Sequence, residues 1–266
     1  MPTDPVTSPQ NPRIKALVRL RRRRERDRTG TFLVEGFREL TRAIEAGVGI
    51  TTVYTCPALY LGSNEEALVD LAASAGAEVV EVAEPAFRKA SYRDRPEGLL
   101  AVASQFDHSL GVLDLPPDPL VLVVEAIEKP GNLGTMLRTA DAAGVSAVIV
   151  CDPATDPFNP NVVRASIGAL FTVPLAVSST REAVEWLKAG GIRTVATTPD
   201  TSLVYSAADL TGGVAVVVGS EQYGLSDRWL SAADVRVRIP MRGRTDSLNA
   251  AMAAGVVLFE AVRQRG

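Results

Sequence analysis

The chain has 266 residues, 46% of them apolar and 5% aromatic, with a formal net charge of −3. That length supports one large or two modest domains with real cores, and an Ala/Val-rich composition suits an α/β protein. No apolar run approaches the roughly 18 residues of a membrane span, and "MPTDPVTSPQNPR" lacks the basic-then-apolar order of a secretory signal, so a cytoplasmic protein with no membrane contact is expected.

A polar, proline-rich start leads into a basic helix expected near 11–28. Between Arg13 and Arg28 nine Lys/Arg stand against two acids, Glu25 and Asp27. Such a block can hold phosphates although the whole chain is anionic; it also reads as a solvated helix face. The strand "TFLVEG" and the helix "FRELTRAIEAG", closed by Gly47, follow. A strand "TTVYTC", a helix near 65–75, the strand "AEVVEV", a short helix near 84–90 and the strand "GLLAVASQ" complete a small α/β unit over 1–105. "FDHSLGVLDLPPDP" then breaks all periodicity with three prolines, which predicts a linker over 106–118.

From residue 119 the pattern becomes regular. Strands "PLVLVVEA", "SAVIVCD", "FTVPLAV", "IRTVATT", "VAVVVG" and "VRVRIP" alternate with helices near 133–143, 159–168, 180–189 and 226–232, and a last helix near 247–264. Continuous Val/Ile/Leu runs separated by helices predict a parallel sheet covered on both faces. Cys56 and Cys151 fall at strand-like positions without metal spacing and read as buried, reduced thiols.

Familiar small-molecule signatures fail. G-x-G-x-x-G follows no predicted strand. "GSEQYGLS" has a G-x-x-x-x-G frame, but Leu225 stands where a P-loop needs lysine, and Glu221 would repel a triphosphate. The single histidine, His108, lies in the linker, which leaves no material for a Ser-His-Asp relay or a histidine metal site. Paired-carboxylate chemistry by Glu125, Glu128 or Glu221 is open, with no spacing that singles out a pair. Three loops remain: "KPGNLGTMLR" at 129–138, "GSEQYGL" at 219–225 and "IPMRGRTDSLNAAMA" at 239–253. Each follows a strand at its C-terminal end, where open α/β sheets place ligands, and each mixes small residues with one or two polar side chains.

Together, in this order, the loops resemble the SPOUT superfamily, specifically the TrmH/SpoU-like RNA 2′-O-ribose methyltransferases. N-x-G-x-x-x-R-T-A is matched by Asn132, Gly134, Arg138, Thr139 and Ala140. G-x-E-x-x-G-L is matched by Gly219, Glu221, Gly224 and Leu225, and I-P-M…S-L-N by Ile239, Pro240, Met241, Ser247, Leu248 and Asn249. The resemblance covers 119–266, and "VRASIGALFTVPL" is similar to the family's connecting segment. The N-terminal unit resembles the substrate-binding domain often fused to these enzymes. Ala251 departs from the pattern, since many relatives carry a second serine there.

The strand pattern alone predicts a doubly wound sheet, because true knots are rare. The resemblance implies instead a SPOUT domain with a parallel sheet and a deep trefoil knot, preceded by a small α/β RNA-binding domain. It also implies S-adenosylmethionine as cofactor and a homodimer. Gly219, Ile239 and Leu248 would contact the cofactor, with Thr198 a further candidate. Arg138, Asn132, Glu221, Ser247 and Asn249 would form the catalytic set. In it Asn132 fixes its turn and contacts substrate or the partner subunit, Glu221 holds Arg138 or loop backbone, and Ser247 and Asn249 cap the last helix and line the ribose site.

The implied reaction is attack of a ribose 2′-hydroxyl on a sulfonium methyl. An arginine guanidinium holds its proton far above neutral pH, so removing it would cost several kcal/mol. Arg138 is therefore expected to grip phosphate and stabilise the emerging alkoxide rather than act as base, with the hydroxyl proton passing to phosphate or water. Ribosomal RNA is the expected substrate. A transfer-RNA enzyme, a base-nitrogen methyltransferase and a knotted RNA-binding protein without activity are the alternatives. Tyr92, Arg93 and Arg95 could add stacking and phosphate contacts.

Overall fold

The computed structural model describes residues 5–266; the first four residues of the proline-rich start lie outside the described residues. The described chain divides into two compact units. One takes the residues up to Phe106 together with Asp156–Thr172, the other Asp107–Thr155 together with Val173–Gly266.

In the first unit α1 (Pro12–Arg19) and α2 (Arg23–Thr29) replace the single basic helix expected over 11–28. Asn11 caps α1 by accepting from the Arg13 N–H at 2.8 Å, and Pro12 occupies the first helical position, where its missing N–H costs nothing. Ile14, Leu17 and Leu20 are buried in one core with Leu33, Phe87 and Leu100. Holding Leu20 in that core while turning Arg26 inward breaks the helix at 20–22. Arg26 is 1% exposed; its Nη2 and Nε reach the two carboxylate oxygens of Asp156 at 2.5 and 3.3 Å, and its Nη1 donates to the Leu20 carbonyl at 2.9 Å.

The rest of this unit follows the sequence pattern: β1 (Thr31–Glu35), α3 (Phe37–Glu45), β2 (Ile50–Thr55), α4 (Glu65–Ser74), β3 (Glu78–Glu81), α5 (Glu84–Ala90) and β4 (Leu99–Ser104). The sheet order is β1-β4-β2-β3, antiparallel at β1–β4 and β4–β2 and parallel at β2–β3. Arg21 Nη2 donates to the carbonyls of Lys89, Ala90 and Ser91 at 2.6–3.1 Å, which satisfies the C-terminal end of α5.

The second unit holds β5 (Leu120–Glu125), α6 (Pro130–Ala142) and β6 (Ala147–Cys151). The chain then crosses the first unit as α7 (Pro160–Ser166) and α8 (Ala169–Thr172) and returns as β7 (Leu175–Ser178). Next come α9 (Thr180–Ala189), β8 (Arg193–Thr197), β9 (Val214–Val218), α10 (Asp227–Ala232), β10 (Val235–Val237) and α11 (Ala250–Arg265). The six strands pair in the order β10-β8-β9-β5-β6-β7, all parallel. Every residue of β5, β6 and β9 is buried, as expected of a sheet covered on both faces.

Three boundaries differ from the sequence reading. Phe171 and Thr172, expected at the start of a strand, belong to α8, and the strand begins only after Pro174. The segment 156–172, read as part of the 119–266 domain, is compact with the first unit. Asp156 is held there by Arg26, and the Phe158 ring lies 4.8 Å from that of Phe32. The stretch read as a linker is also packed. Leu110, Leu113 and Leu115 lean on the second core, and the His108 carbonyl accepts from the Val177 N–H at 2.7 Å.

Candidate active site

The three motif segments all follow the C-terminal ends of adjacent or near-adjacent strands: the turn 126–129 and the start of α6, which takes in Gly131 and Gly134, after β5, the loop 219–226 after β9 and the loop 238–249 after β10. The first begins at Ala126, whose φ of +51° lies in the left-handed region that glycine usually fills. Such strain in a non-glycine residue concentrates at functional turns. The second loop is pinned from beneath. Glu125, 4% exposed, accepts from the Ser226 N–H at 2.8 Å, the Ser226 hydroxyl at 2.7 Å and the Thr180 hydroxyl at 2.8 Å. With three donors this carboxylate holds the loop to the sheet, which answers the open question of its role.

Gly219 has a local reason to be glycine. A Cβ there would overlap the backbone of Gly224 and Leu225, because the loop closes on itself through Ser220 and Gly224, which exchange N–H to C=O bonds of 3.0 Å. The approach that demands glycine is thus the loop's own.

Two groupings of the expected site residues emerge. In the first, Asn132 on the first turn of α6 donates its side-chain N–H to Glu221 and accepts from Asn249 Nδ2 at 3.2 Å. Residues 89 and 117 positions away are thereby tied to one amide. The Asn249 oxygen caps α11 by accepting from the N–H groups of Ala251 (3.0 Å) and Met252 (3.4 Å). Glu221 therefore engages Asn132, not Arg138 as the sequence reading offered. Arg138 is exposed on α6 and makes no hydrogen bond or ion pair with any described residue. Its guanidinium has all its donors available.

The second grouping is a groove lined by Thr197, Thr198, Pro199, Ile239, Met241, Asp246, Ser247, Leu248 and Ala253. It brings together three of the four expected cofactor residues; Gly219 is not in its wall. Ser247 lines the groove but does not cap α11, which Asn249 does alone. Asp246 and Pro199 went unnoticed in the sequence, although they lie in the third motif and at the "TVATTP" strand end, and Met241 was matched in I-P-M without being assigned to the cofactor. The consecutive residues Leu248 and Asn249 join the groove to the Asn132–Glu221 pair.

Residues 119–259 match the SpoU rRNA Methylase family, and residues 11–101 match the MRM3-like substrate binding domain. The chain belongs to the SpoU rRNA methylase family. Among relatives, the 23S rRNA (uridine(2479)-2′-O)-methyltransferase of Streptomyces viridochromogenes is 33% identical over 91% of this chain and 86% of its own length. The 23S rRNA (guanosine-2′-O-)-methyltransferase RlmB of a Burkholderia species is 34% identical over 88% of this chain and 96% of its own. The AdoMet-bound rRNA methyltransferase of Sinorhizobium meliloti superposes with a TM-score of 0.90 at 34% identity, covering 98% of this chain and 97% of that one. The family fold, an α/β unit with a parallel six-stranded sheet, is the one described above.

The groove has the chemistry that S-adenosylmethionine requires. Ile239, Leu248, Pro199 and Met241 offer apolar walls to a flat purine, the two threonines offer few polar anchors, and the Asp246 carboxylate suits a cationic ligand. Its volume, about 120 Å³, encloses only part of a ligand that size.

Proposed function

We propose that this chain transfers a methyl group from S-adenosylmethionine to a ribose 2′-hydroxyl of ribosomal RNA, and that the groove and the Asn132–Glu221–Asn249 chain are its site. The observation that carries the reading is the convergence of three loops, from β5, β9 and β10, on that side-chain chain beside an apolar groove. The relatives of similar length act on 23S rRNA, at uridine in one case and guanosine in another, which supports ribosomal RNA without fixing the base.

Thr198, Ile239 and Leu248 would hold the cofactor from the groove, and Gly219 would do so through the loop it shapes. When bound, S-adenosylmethionine supplies an electrophilic methyl on a sulfonium. Arg138 presents a free guanidinium fork that can bond a backbone phosphate and stabilise a developing alkoxide without losing its own proton. Asn132 and Asn249 fix the start of α6 and α11, the helices that carry Arg138 and border the groove. Ser247, with its hydroxyl free of described partners, would touch the ribose.

A homodimer belongs to the same proposal. α6 packs on α11, and α11 leaves Met252 and Phe259 61% and 50% exposed, seven residues apart on one helix face. The trefoil knot implied by the motifs is proposed for the loops after β9 and β10. No helix among the described residues is long and apolar enough to cross a membrane. Two free, buried cysteines suit a reducing cytoplasm.

The test is transfer of labelled methyl from S-adenosylmethionine to ribosomal RNA taken from a strain lacking the gene. Label resistant to alkaline hydrolysis at one internucleotide bond supports the reading. Label on a base nitrogen, or none at all, contradicts it.

A further inference from the structure

The first unit contains a cleft of about 540 Å³ at the start of α3, bordered by α4 and α7. Its floor and its rim differ in chemistry. On the floor, Glu65 is 5% exposed; its Oε1 accepts from the N–H groups of Leu61 (3.0 Å) and Gly62 (2.8 Å), while its Oε2 is buried without a partner. Burial pushes this carboxyl up, but the N–H groups of Gly62, Glu65, Leu61 and Asn64 outweigh it and hold it below the usual range, so it stays ionised.

Arg93 also lines the cleft. Its Nη2 donates to Glu39 Oε1 at 2.7 Å and to the Glu35 carbonyl at 2.8 Å, and its Nη1 pairs with Glu97, yet its Nε–H is buried and unpaired. Two residues that line the cleft thus each carry a buried polar atom without a described partner, a carboxylate oxygen and a guanidinium N–H. Natural structures rarely leave such groups unmatched unless a water, ion or ligand completes them.

The rim is cationic. Arg38 and Arg164 are exposed and make no side-chain hydrogen bond or ion pair with any described residue. Glu39 and Glu97, the other acids in the cleft, are already engaged by Arg93. Beside the arginines stand Phe37, half-buried, and Leu61, 78% exposed. An apolar surface at the mouth, a donor and an acceptor at depth, and two free cations at the edge describe a specific ligand. That ligand has a flat apolar body, a polar edge carrying both donor and acceptor, and an anionic group on its opposite end.

We infer that this cleft seats a single unpaired nucleotide of the RNA substrate, its base edge toward Glu65 and Arg93 and its phosphates on Arg38 and Arg164. The proposal rests on the RNA-substrate reading above but concerns binding rather than methyl transfer. Every base offers a hydrogen-bond donor and acceptor on its Watson–Crick edge, and only in an unpaired nucleotide is that edge free. Depth selects a base over a phosphate, since buried Glu39 and Glu65 would repel an anion on the floor.

The experiment uses the full chain, a labelled mixed-sequence single-stranded 12-nucleotide RNA and the same sequence annealed as duplex. Arg38→Ala/Arg164→Ala removes two exposed side chains without described partners, so thermal melting should match the parent. We expect single-strand affinity to fall at least tenfold and the slope of log K against log salt to shrink by about 1.4, two phosphate contacts at roughly 0.7 each. Duplex affinity should change by less than threefold. Unchanged single-strand affinity and slope would overturn the proposal, as would equal losses for strand and duplex, which would mean phosphate contacts alone. Nucleoside monophosphates tested as competitors should displace the RNA only at millimolar levels; displacement at the RNA's own Kd would assign the cleft to free nucleotides instead. Glu65→Gln should alter the preference among homopolymers while a melting curve checks its fold. Absence of methylation by the parent protein would contradict the functional reading and leave these binding results standing.

Discussion

Asn132, on the first turn of α6, gives its side-chain N–H to Glu221 in the loop after β9. The same amide accepts from Asn249 at 3.2 Å. One residue therefore registers two otherwise independent loops, and the groove of Ile239 and Leu248 borders this registration point.

If the pair acts as a unit, its losses should not add. Asn132→Ala and Glu221→Ala are each expected to lower kcat on the order of tenfold to a hundredfold, with cofactor Kd within threefold. The double variant should fall well short of the product of the two, because the second change removes a partner already lost. Single-turnover rates for all four proteins check this; strictly multiplicative losses would contradict it.

Arg138→Lys keeps the charge and loses the fork. Turnover should fall about a hundredfold or more, with S-adenosylmethionine affinity unchanged within twofold. A near-normal single-turnover rate in this variant would remove Arg138 from the chemistry.

Gly219→Ala places a Cβ against the backbone of Gly224 and Leu225. The loop must open, and Ser226 then loses its seat on Glu125. Calorimetry should show at least a tenfold loss of cofactor affinity with a lower melting temperature. Parental affinity would show that this loop plays no part in the cofactor site.

Arg26→Ala and Arg24→Ala contrast two members of one arginine run. Arg26 is buried and bonded to Asp156 and the Leu20 carbonyl, so its loss strands a buried carboxylate and should cost about 3–5 kcal/mol. Arg24 is exposed and makes no hydrogen bond or ion pair with a described residue, and its loss should stay within about 0.5 kcal/mol. Denaturant melts of both variants read the difference.

Glu35 supplies a pH test. Burial pushes its carboxyl up, against the opposing bonds from Ser91 (2.5 Å) and the Tyr92 N–H (2.7 Å) and the Arg93 charge. A raised folded-state pKa means the native protein binds this proton more tightly than the unfolded chain. The stabilisation is full below the unfolded value, about 4.3, and is lost as pH rises through the higher folded value. Burial also raises Glu39, and its contribution has the same sign. Relative to Glu35→Gln, the parent should lose stability on going from pH 4 to pH 7. A constant difference across that range would contradict the assignment.

Much of this was readable from residue order. The Val-rich runs gave a parallel sheet, and β5, β6 and β9 are buried at every position as that pattern requires. What periodicity could not show was partnership at a distance. Nothing local distinguishes Arg26 from Arg24, because burial depends on Asp156, 130 residues on. Nor does the sequence show that Glu221 meets Asn132 rather than Arg138, since α6 turns one toward the loop and leaves the other exposed. The break at 20–22 escaped because both halves have good helix formers and only the pull of Leu20 into the core interrupts them. Asp246 was hidden for a simpler reason: a lone acid in a polar loop carries no pattern.

The most direct measurement is the position of the transferred methyl. Ribosomal RNA from a strain lacking the gene, incubated with the purified chain and labelled S-adenosylmethionine, should gain label at one ribose, seen as a single bond that resists alkali. RNA that gains no label, or gains it on a base while every bond still cleaves, would contradict the account.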